Sequence, residues 1–342
     1  MEILVFGKTG QLGLSLKDTA PPGQNIHYIG HDECDLAEPG AVTRCLEEHK
    51  PDYIVNAAAY TQVDKAEQEP NLAHQINAEA VREIAAWIAV ISTEPPKASV
   101  APVISTGPAA GREAEKSPKP KDLEPNSVIS TELGAGQEAE KSPKLIHIST
   151  DFVFDGQSTT LYKPDDPTNP LGQYGKTKLA GEKAILDIAP DFTMIIRTAW
   201  VYSEHGQNFV KTMLRLMAEK EELGGVNDQR GSPTYARGLA EVIWQIVTED
   251  RFSAGIYHWT DKGDVTWHEF ASAIQEEALK LGLLDKTIPI NAITTADYPT
   301  PAQRPAYSVL ESSKLVELLA GDPQDWRDSL RFMVVKLSQR SF

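Results

Sequence analysis

Long apolar runs are missing from this 342-residue chain: no stretch approaches the roughly 18 uninterrupted apolar residues that a membrane-spanning helix requires. Cysteine is almost absent. Only Cys34 and Cys45 occur, too few for a disulfide framework and without the paired spacing of a structural zinc site, so both read as ordinary buried thiols. Basic residues are the minority, 33 against 49 acidic ones for a net charge of −16, which argues against a general nucleic-acid binder because neutralising phosphates needs a basic face. A small anionic ligand stays possible, since backbone N–H groups at a helix N-terminus and one or two local Lys or Arg residues can hold it. The chain opens on Met1-Glu2-Ile3-Leu4-Val5-Phe6, with neither a basic n-region nor a small-residue cleavage site, and a cytoplasmic location is expected. What is present, 41% hydrophobic and 24% charged residues, suits a globular protein of one large or two moderate domains.

Short apolar runs recur at Ile3–Phe6, Ile26–Ile29, Tyr53–Val55, Leu145–Ile148 and Met194–Ile196. Helical spacing fills the gaps at 11–17, 39–49, 70–90 and 177–188. This alternation predicts an α/β fold with a Rossmann-type, doubly wound parallel sheet and loops after the strands gathered on one edge. After about residue 200 the alternation weakens, and helices are expected at 208–223, 235–248 and 266–283. The expected division is a dinucleotide-binding domain over 1–198 and a smaller, mostly substrate-binding domain over 199–342, with 227–250 returning to the first.

One stretch breaks the pattern. Residues 94–144 are rich in Pro, Ala, Glu, Lys and Ser, and the run Val103-Ile104-Ser105-Thr106 through Lys119 recurs as Val128-Ile129-Ser130-Thr131 through Lys144. A solenoid needs an apolar stacking face and at least three units, neither of which is present, so a duplicated, disordered insert is expected. It falls between a helix and a strand, which should put it on the sheet edge opposite the chemistry, and its removal is expected to be tolerated.

The first strand runs into Gly7-Lys8-Thr9-Gly10-Gln11-Leu12-Gly13. The first glycine permits a tight turn, the second a close approach to a pyrophosphate, and the third close packing of helix on strand, the pattern of a dinucleotide site. Gly-Lys-Thr is not a P-loop here, because the first glycine of that motif, five residues before Gly7, is replaced by Glu2. At the end of the second strand the acidic residue that binds ribose hydroxyls is missing. Gly30-His31 stands there, which tolerates the 2′-phosphate of NADPH. His31 reads as a phosphate partner or a plain loop residue, and Asp35, before Leu36, as an adenine contact or a helix cap. Asn56-Ala57-Ala58-Ala59-Tyr60 brings small side chains to a strand end, suited to a flat ligand or to tight packing.

Ser149-Thr150-Asp151 ends another strand, and Tyr174-Gly175-Lys176-Thr177-Lys178 opens a helix. Tyr174 and Lys178 share a helical face, where an ammonium can lower a phenol's pKa and yield an acid–base group usable near neutrality. Thr150 supplies a hydroxyl to orient the same carbonyl oxygen.

Together these runs resemble the extended short-chain dehydrogenase/reductase superfamily and, more closely, the dTDP-4-dehydrorhamnose reductases. The likeness also rests on Val63-Asp64-Lys65-Ala66-Glu67, Asp151-Phe152-Val153-Phe154-Asp155-Gly156, Arg197-Thr198-Ala199-Trp200-Val201-Tyr202, and Tyr298-Pro299-Thr300-Pro301 with Arg304-Pro305. It implies reduction of the C4 keto group of dTDP-4-dehydro-L-rhamnose by NADPH, with NADH as an alternative. Tyr174 is then the general acid, Lys178 its partner and a ribose ligand, and Thr150 the carbonyl-orienting hydroxyl. Cofactor contacts are expected from residues 7–13, His31, Asp35, Leu36, Ala57, Ala58, Ala59, Tyr60, Tyr174 and Lys178. Substrate contacts are expected from Thr150, Asp151, Phe152, Trp200, Asn208, Lys211 and Arg304. Some members of the family bind Mg²⁺ at a dimer interface through a Glu just after the glycine turn, where this chain has Ser15; no metal ligand is assigned, and a monomer or homodimer is expected. Two other readings stay open: a non-catalytic subunit resembling the methionine adenosyltransferase β subunit, and another nucleotide-sugar reductase or epimerase.

Overall fold

The computed structural model describes residues 1–93 and 142–340. Six parallel strands build the central sheet: the first, Glu2–Phe6; the second, Asn25–Ile29; the third, Tyr53–Asn56; the fourth, Lys144–Thr150; the fifth, Thr193–Thr198; and the sixth, Gly255–His258. Their spatial order is sixth, fifth, fourth, third, first, second. The chain thus winds outward from the first strand to one edge, then returns and winds to the other. Where that order reverses, between the first and third strands, the loops diverge and leave a crevice at the strands' carboxyl ends.

The strands are apolar on both faces, as a covered parallel sheet requires. Ile3 and Val5 pack with Leu12, Leu16, Leu239 and Ile243 on one side. Leu4, Phe6 and Ile54 pack with Val42, Leu46, Ile84 and Ile88 on the other. These side chains alternate along each strand, so the period of two in the sequence becomes two helical layers around one sheet. The Rossmann-type expectation is met.

The sixth strand was not foreseen in the sequence, because it is four residues long and begins at a glycine, with only Ile256 and Tyr257 as an apolar run. It pairs with the fifth strand through Gly255↔Met194 to His258↔Arg197. Helices Ala236–Thr248 and Ser313–Leu319 lie on the same face, burying Leu239, Ile243, Leu315 and Leu319. The part of the late chain that packs on the central sheet therefore extends beyond 227–250. The Lys314 ammonium lies over the Tyr257 ring and donates to the Ile256 carbonyl at 2.9 Å.

The other late elements form a separate cluster. Helices Phe209–Glu219, Trp267–Lys280 and Trp326–Arg340 gather around Tyr202, Phe270, Ile274 and Leu330. Two-residue strands tie them down, Val201–Tyr202 against Thr234–Tyr235 and Arg230–Gly231 against Val265–Thr266. The helix expected over 208–223 stops at Glu219, because Leu223 already opens a strand that pairs with Ile290–Ile293.

The helix expected over 70–90 is broken into Pro70–His74, a π turn at Gln75–Glu79, and Ala80–Thr93. The expected insert lies outside the described residues except for its last three. Of these, Lys144 begins the fourth strand: its N–H donates to the Asp52 carbonyl at 3.0 Å and its ammonium reaches Asp250 at 3.1 Å. A deletion that takes Lys144 would remove a strand residue, so the insert's boundary must fall before it.

Candidate active site

The crevice at the switch point is a cleft of about 850 Å³. Its floor begins at Gly7, whose φ of +95° puts it in the left-handed region. A Cβ there would stand 2.9 Å from the Ala57 carbonyl and the Ala58 nitrogen, so glycine lets the ends of the first and third strands touch. Gly13 acts on the helix instead. A Cβ on it would lie 2.0 Å from the Gly7 oxygen, so its absence seats the helix Gln11–Asp18 against the turn. That helix starts at Gly10 with no side-chain cap. Its first N–H groups therefore remain available to an anion, at the positive end of the helix dipole.

Thr9, Gln11, Leu12, His31, Asp35, Leu36, Ala57, Ala58 and Ala59 also line the cleft. Asp35 lines the cleft and accepts from the Ala37 N–H at 2.8 Å, but this closes a turn: the next helix is Ala41–His49, preceded by Gly40, so the helix-cap reading does not hold. His31 is 85% exposed and 3.4 Å from Asp35. Two of the expected cofactor contacts point elsewhere. The Lys8 ammonium bonds Glu33 at 2.7 Å, and Tyr60 is buried with its hydroxyl on Glu69 at 2.7 Å.

Deeper in the cleft, Thr150 ends the fourth strand. Its hydroxyl donates to Asp151 at 3.0 Å and accepts from the Phe152 N–H at 3.2 Å, and it lies close enough to the Tyr174 phenol to lower that group's pKa. Tyr174 is placed from two sides. Glu67 accepts from the Gln173 N–H at 2.7 Å and caps the start of the helix Gln173–Ile188. Asn77 bonds both the N–H and the carbonyl of Tyr60 and the Thr177 hydroxyl, locking the third-strand loop onto the same helix. The π turn presents Asn77 for this, and Gly181 gives it room, since a Cβ there would meet the Asn77 carbonyl at 2.2 Å.

Burial pushes the Tyr174 phenol up to about 12, with Asp151 adding to the rise and the Thr150 hydrogen bond opposing it. The lowering expected from Lys178 is not found. Lys178 instead turns its ammonium to the Ile148 carbonyl at 2.7 Å, and burial pulls its pKa down to about 8. Its ammonium is held at the Ile148 carbonyl, and nothing from it enters the rise of the Tyr174 phenol. Asp151 is buried and its carboxyl is raised to about 6 by desolvation.

The far wall is aromatic. Trp200 sits at φ +49° and stacks on Trp267, ring centroids 3.4 Å apart, with Phe209 tilted against Trp267. Gly231 permits this: a Cβ would stand 2.5 Å from the Trp200 ring. Trp267 and Phe209 were missed in the sequence, although a lone Trp opening a helix after Val265-Thr266 was a usable signal. Phe152 and Arg304 line the cleft. Arg304 forks onto both carboxylate oxygens of Asp64, at 2.7 and 3.1 Å. Asn208 caps the helix Phe209–Glu219 and also donates to the Gln11 side chain at 2.9 Å. The Lys211 ammonium reaches only the Gly206 carbonyl, at 2.6 Å, and Lys211 does not line the cleft. Ser15 is buried and offers no carboxylate. Among the described residues, Asp18, Glu204 and His205 bring metal-capable atoms within 4.8 Å of one another, with His205 paired to Asp18 at 2.8 Å.

A family model described as the RmlD substrate binding domain matches residues 1–94 and 112–339. The dTDP-4-dehydrorhamnose reductase of Aggregatibacter actinomycetemcomitans is 36% identical, covering 96% of this chain and 97% of the other. That of Escherichia coli (strain K12) is 38% identical and covers 98% of both. The chain belongs to the dTDP-4-dehydrorhamnose reductase family. It is thus a member of a family of nicotinamide-dependent oxidoreductases. Solved dTDP-4-dehydrorhamnose reductases share its fold: the Clostridium acetobutylicum protein matches with a TM-score of 0.77 and 31% identity, covering 98% of this chain and 99% of that one. The Bacillus anthracis protein, solved in complex with NADP, matches with a TM-score of 0.76 and 27% identity over the same shares. The motif residues of this reductase chain acquire physical roles accordingly, Asp64 holding Arg304 and Glu67 capping the helix of Tyr174.

Proposed function

We propose that this chain reduces the C4 keto group of dTDP-4-dehydro-L-rhamnose to give dTDP-L-rhamnose, with NADPH as reductant and Tyr174 as proton donor. The observation that carries the reading is the convergence of the Thr150 and Tyr174 hydroxyls in a cleft bounded by the glycine turn and the Trp200–Trp267 stack. The first N–H groups of Gln11–Asp18 and the close approach at Gly7 and Ala57 fit a pyrophosphate, and the stretch ending the second strand lacks a carboxylate at its first two positions, Gly30 and His31. A bound nicotinamide cofactor supplies the hydride. The protein's part is positional and protic. Thr150 orients the keto oxygen by a hydrogen bond, and Tyr174, fully protonated at neutral pH because burial raises its pKa, gives that oxygen its proton. Asp151 accepts from the Thr150 hydroxyl, and its charge favours the protonated form of Tyr174. Names of relatives and an NADP-bound structure among them support the substrate and cofactor assignments.

The test is NADPH consumption by purified protein supplied with dTDP-4-dehydro-L-rhamnose, with the product identified by mass. Tyr174→Phe should lower kcat by about 10²- to 10⁴-fold, the usual worth of a general acid, and leave the melting temperature near that of the parent. Full turnover in that variant, or no NADPH consumption by the parent protein, would overturn the reading.

A further inference from the structure

His147 lies on the fourth strand directly behind the active-site helix, fully buried. Its Nε2 is 3.4 Å from the Lys178 Nζ, and its Nδ1 is 3.1 Å from the Asn56 Nδ2. The network fixes which ring nitrogen carries the proton. Asn56 Oδ1 accepts from the Ala58 N–H at 3.2 Å, so its amide nitrogen is the end that faces His147. An amide nitrogen only donates, which makes His147 Nδ1 the acceptor and leaves the proton on Nε2. That N–H points at the Lys178 nitrogen. An ammonium has no lone pair to receive it, whereas a neutral amine does. Lys178 meanwhile donates one of its own hydrogens to the Ile148 carbonyl at 2.7 Å, which a neutral amine can also do.

We propose that His147, held by Asn56 as the Nε2–H tautomer, is a positioning residue that favours the neutral amine of Lys178 and so sets that lysine's proton occupancy. This rests on the reading of Lys178 as part of the catalytic group. The surroundings of Lys178 pull in both directions. Glu182, one turn on along its own helix, favours the ammonium. Its carboxylate, however, is shared with Arg197 of the fifth strand at 2.7 and 3.0 Å and with the Ser149 hydroxyl. Tyr174, one turn back on the same helix, is held protonated. Asp151 at the end of the fourth strand acts on Tyr174. His147 itself stays uncharged, because burial and the neighbouring lysine both hold its pKa well below the usual value. The direction agrees with Lys178's own depression to about 8. The consequence is functional: Lys178 is mostly cationic at neutral pH and loses its charge on the mildly alkaline side rather than near the usual lysine value.

The experiment follows Lys178 directly. In full-length protein carrying ¹³Cε-lysine, the Lys178 signal is titrated and assigned by its loss in Lys178→Met, while ¹⁵N-histidine spectra report the His147 tautomer. The proposal expects protonated Nε2 on His147 and, in His147→Leu, a Lys178 midpoint raised by about half a pH unit or more, since a lost buried N–H donor is of that size. His147→Gln, whose amide nitrogen falls near the position of Nε2, should bring the midpoint back toward the parent value. The alkaline limb of kcat/KM should move with the midpoint. An Nδ1–H tautomer in the parent protein, or an unmoved Lys178 midpoint in His147→Gln and a folded His147→Leu alike, overturns the proposal. Full turnover in Lys178→Met would instead overturn the catalytic reading of that lysine, and the titration would still decide the role of His147.

Discussion

Asp261 is a carboxylate that folding takes out of water. It is buried, accepts from the Tyr235 N–H at 3.0 Å, and has its pKa raised to about 7 by desolvation. A carboxyl whose folded pKa is raised contributes nothing unfavourable below its unfolded value near 3.8 and costs stability progressively as pH rises from there through 7. Asp261→Asn keeps an acceptor for Tyr235 and removes the titration. It should therefore be more stable than the parent at pH 8, by up to about 4 kcal/mol on the pKa difference alone, and indistinguishable at pH 4. Urea midpoints at the two pH values would check the sign. At the same scale, the sequence disclosed Thr150, Tyr174 and Lys178 because their spacing is local: a strand end, and two residues one helical turn apart. Arg304 and Asn208 were legible as polar residues near the chemistry but not by their partners. Arg304 answers to Asp64, 240 positions earlier, and Asn208 to Gln11, 197 positions earlier, and no periodicity encodes such pairings.

At the scale of elements, the active site depends on how one helix is seated. Gln173–Ile188 carries Tyr174 and Lys178, is capped from outside by Glu67, and is pinned by Asn77 of the π turn. A π turn adds a residue to a helical run and so swings a side chain out of the regular pattern, often where function needs it. Asn77→Ala would leave the Tyr60 N–H and carbonyl buried without their partner. The expected cost is about 1–3 kcal/mol of stability, together with a fall in kcat larger than any change in cofactor affinity, because Tyr174 rather than the glycine turn loses its support. Thermal unfolding and initial rates measured on one preparation would show both. The unbroken apolar pattern from Pro70 to Val90 read as one helix for a plain reason: a one-residue bulge shifts the phase of the stripe without removing any apolar residue. The sixth strand was hidden for the opposite reason, since four residues with a glycine at one end and a histidine at the other make too short a signal.

Across the whole molecule, the net charge of −16 is not relieved in the cleft by free cations. Lys8 is paired with Glu33, Arg304 with Asp64, and Lys178 is partly neutralised by burial. An anionic ligand must then be met mainly by backbone N–H groups at Gln11–Asp18, or must displace one of these pairs. This gives the glycine turn more weight than the basic residues, and Lys211, expected in the site for its charge, lies outside the cleft lining.

Lys314 has a bearing on the solution behaviour of the molecule. Among the described residues the sixth strand has a neighbour on one side only, and an unpaired row of carbonyls is a template on which a second chain can add a strand. The Lys314 ammonium occupies one of those carbonyls, on Ile256, and places a positive charge where an incoming strand would have to lie. Lys314→Ala should consequently aggregate faster on mild heating, by light scattering, at unchanged kcat. On this expectation a lysine outside the cleft would guard that edge of the sheet against strand addition by another copy.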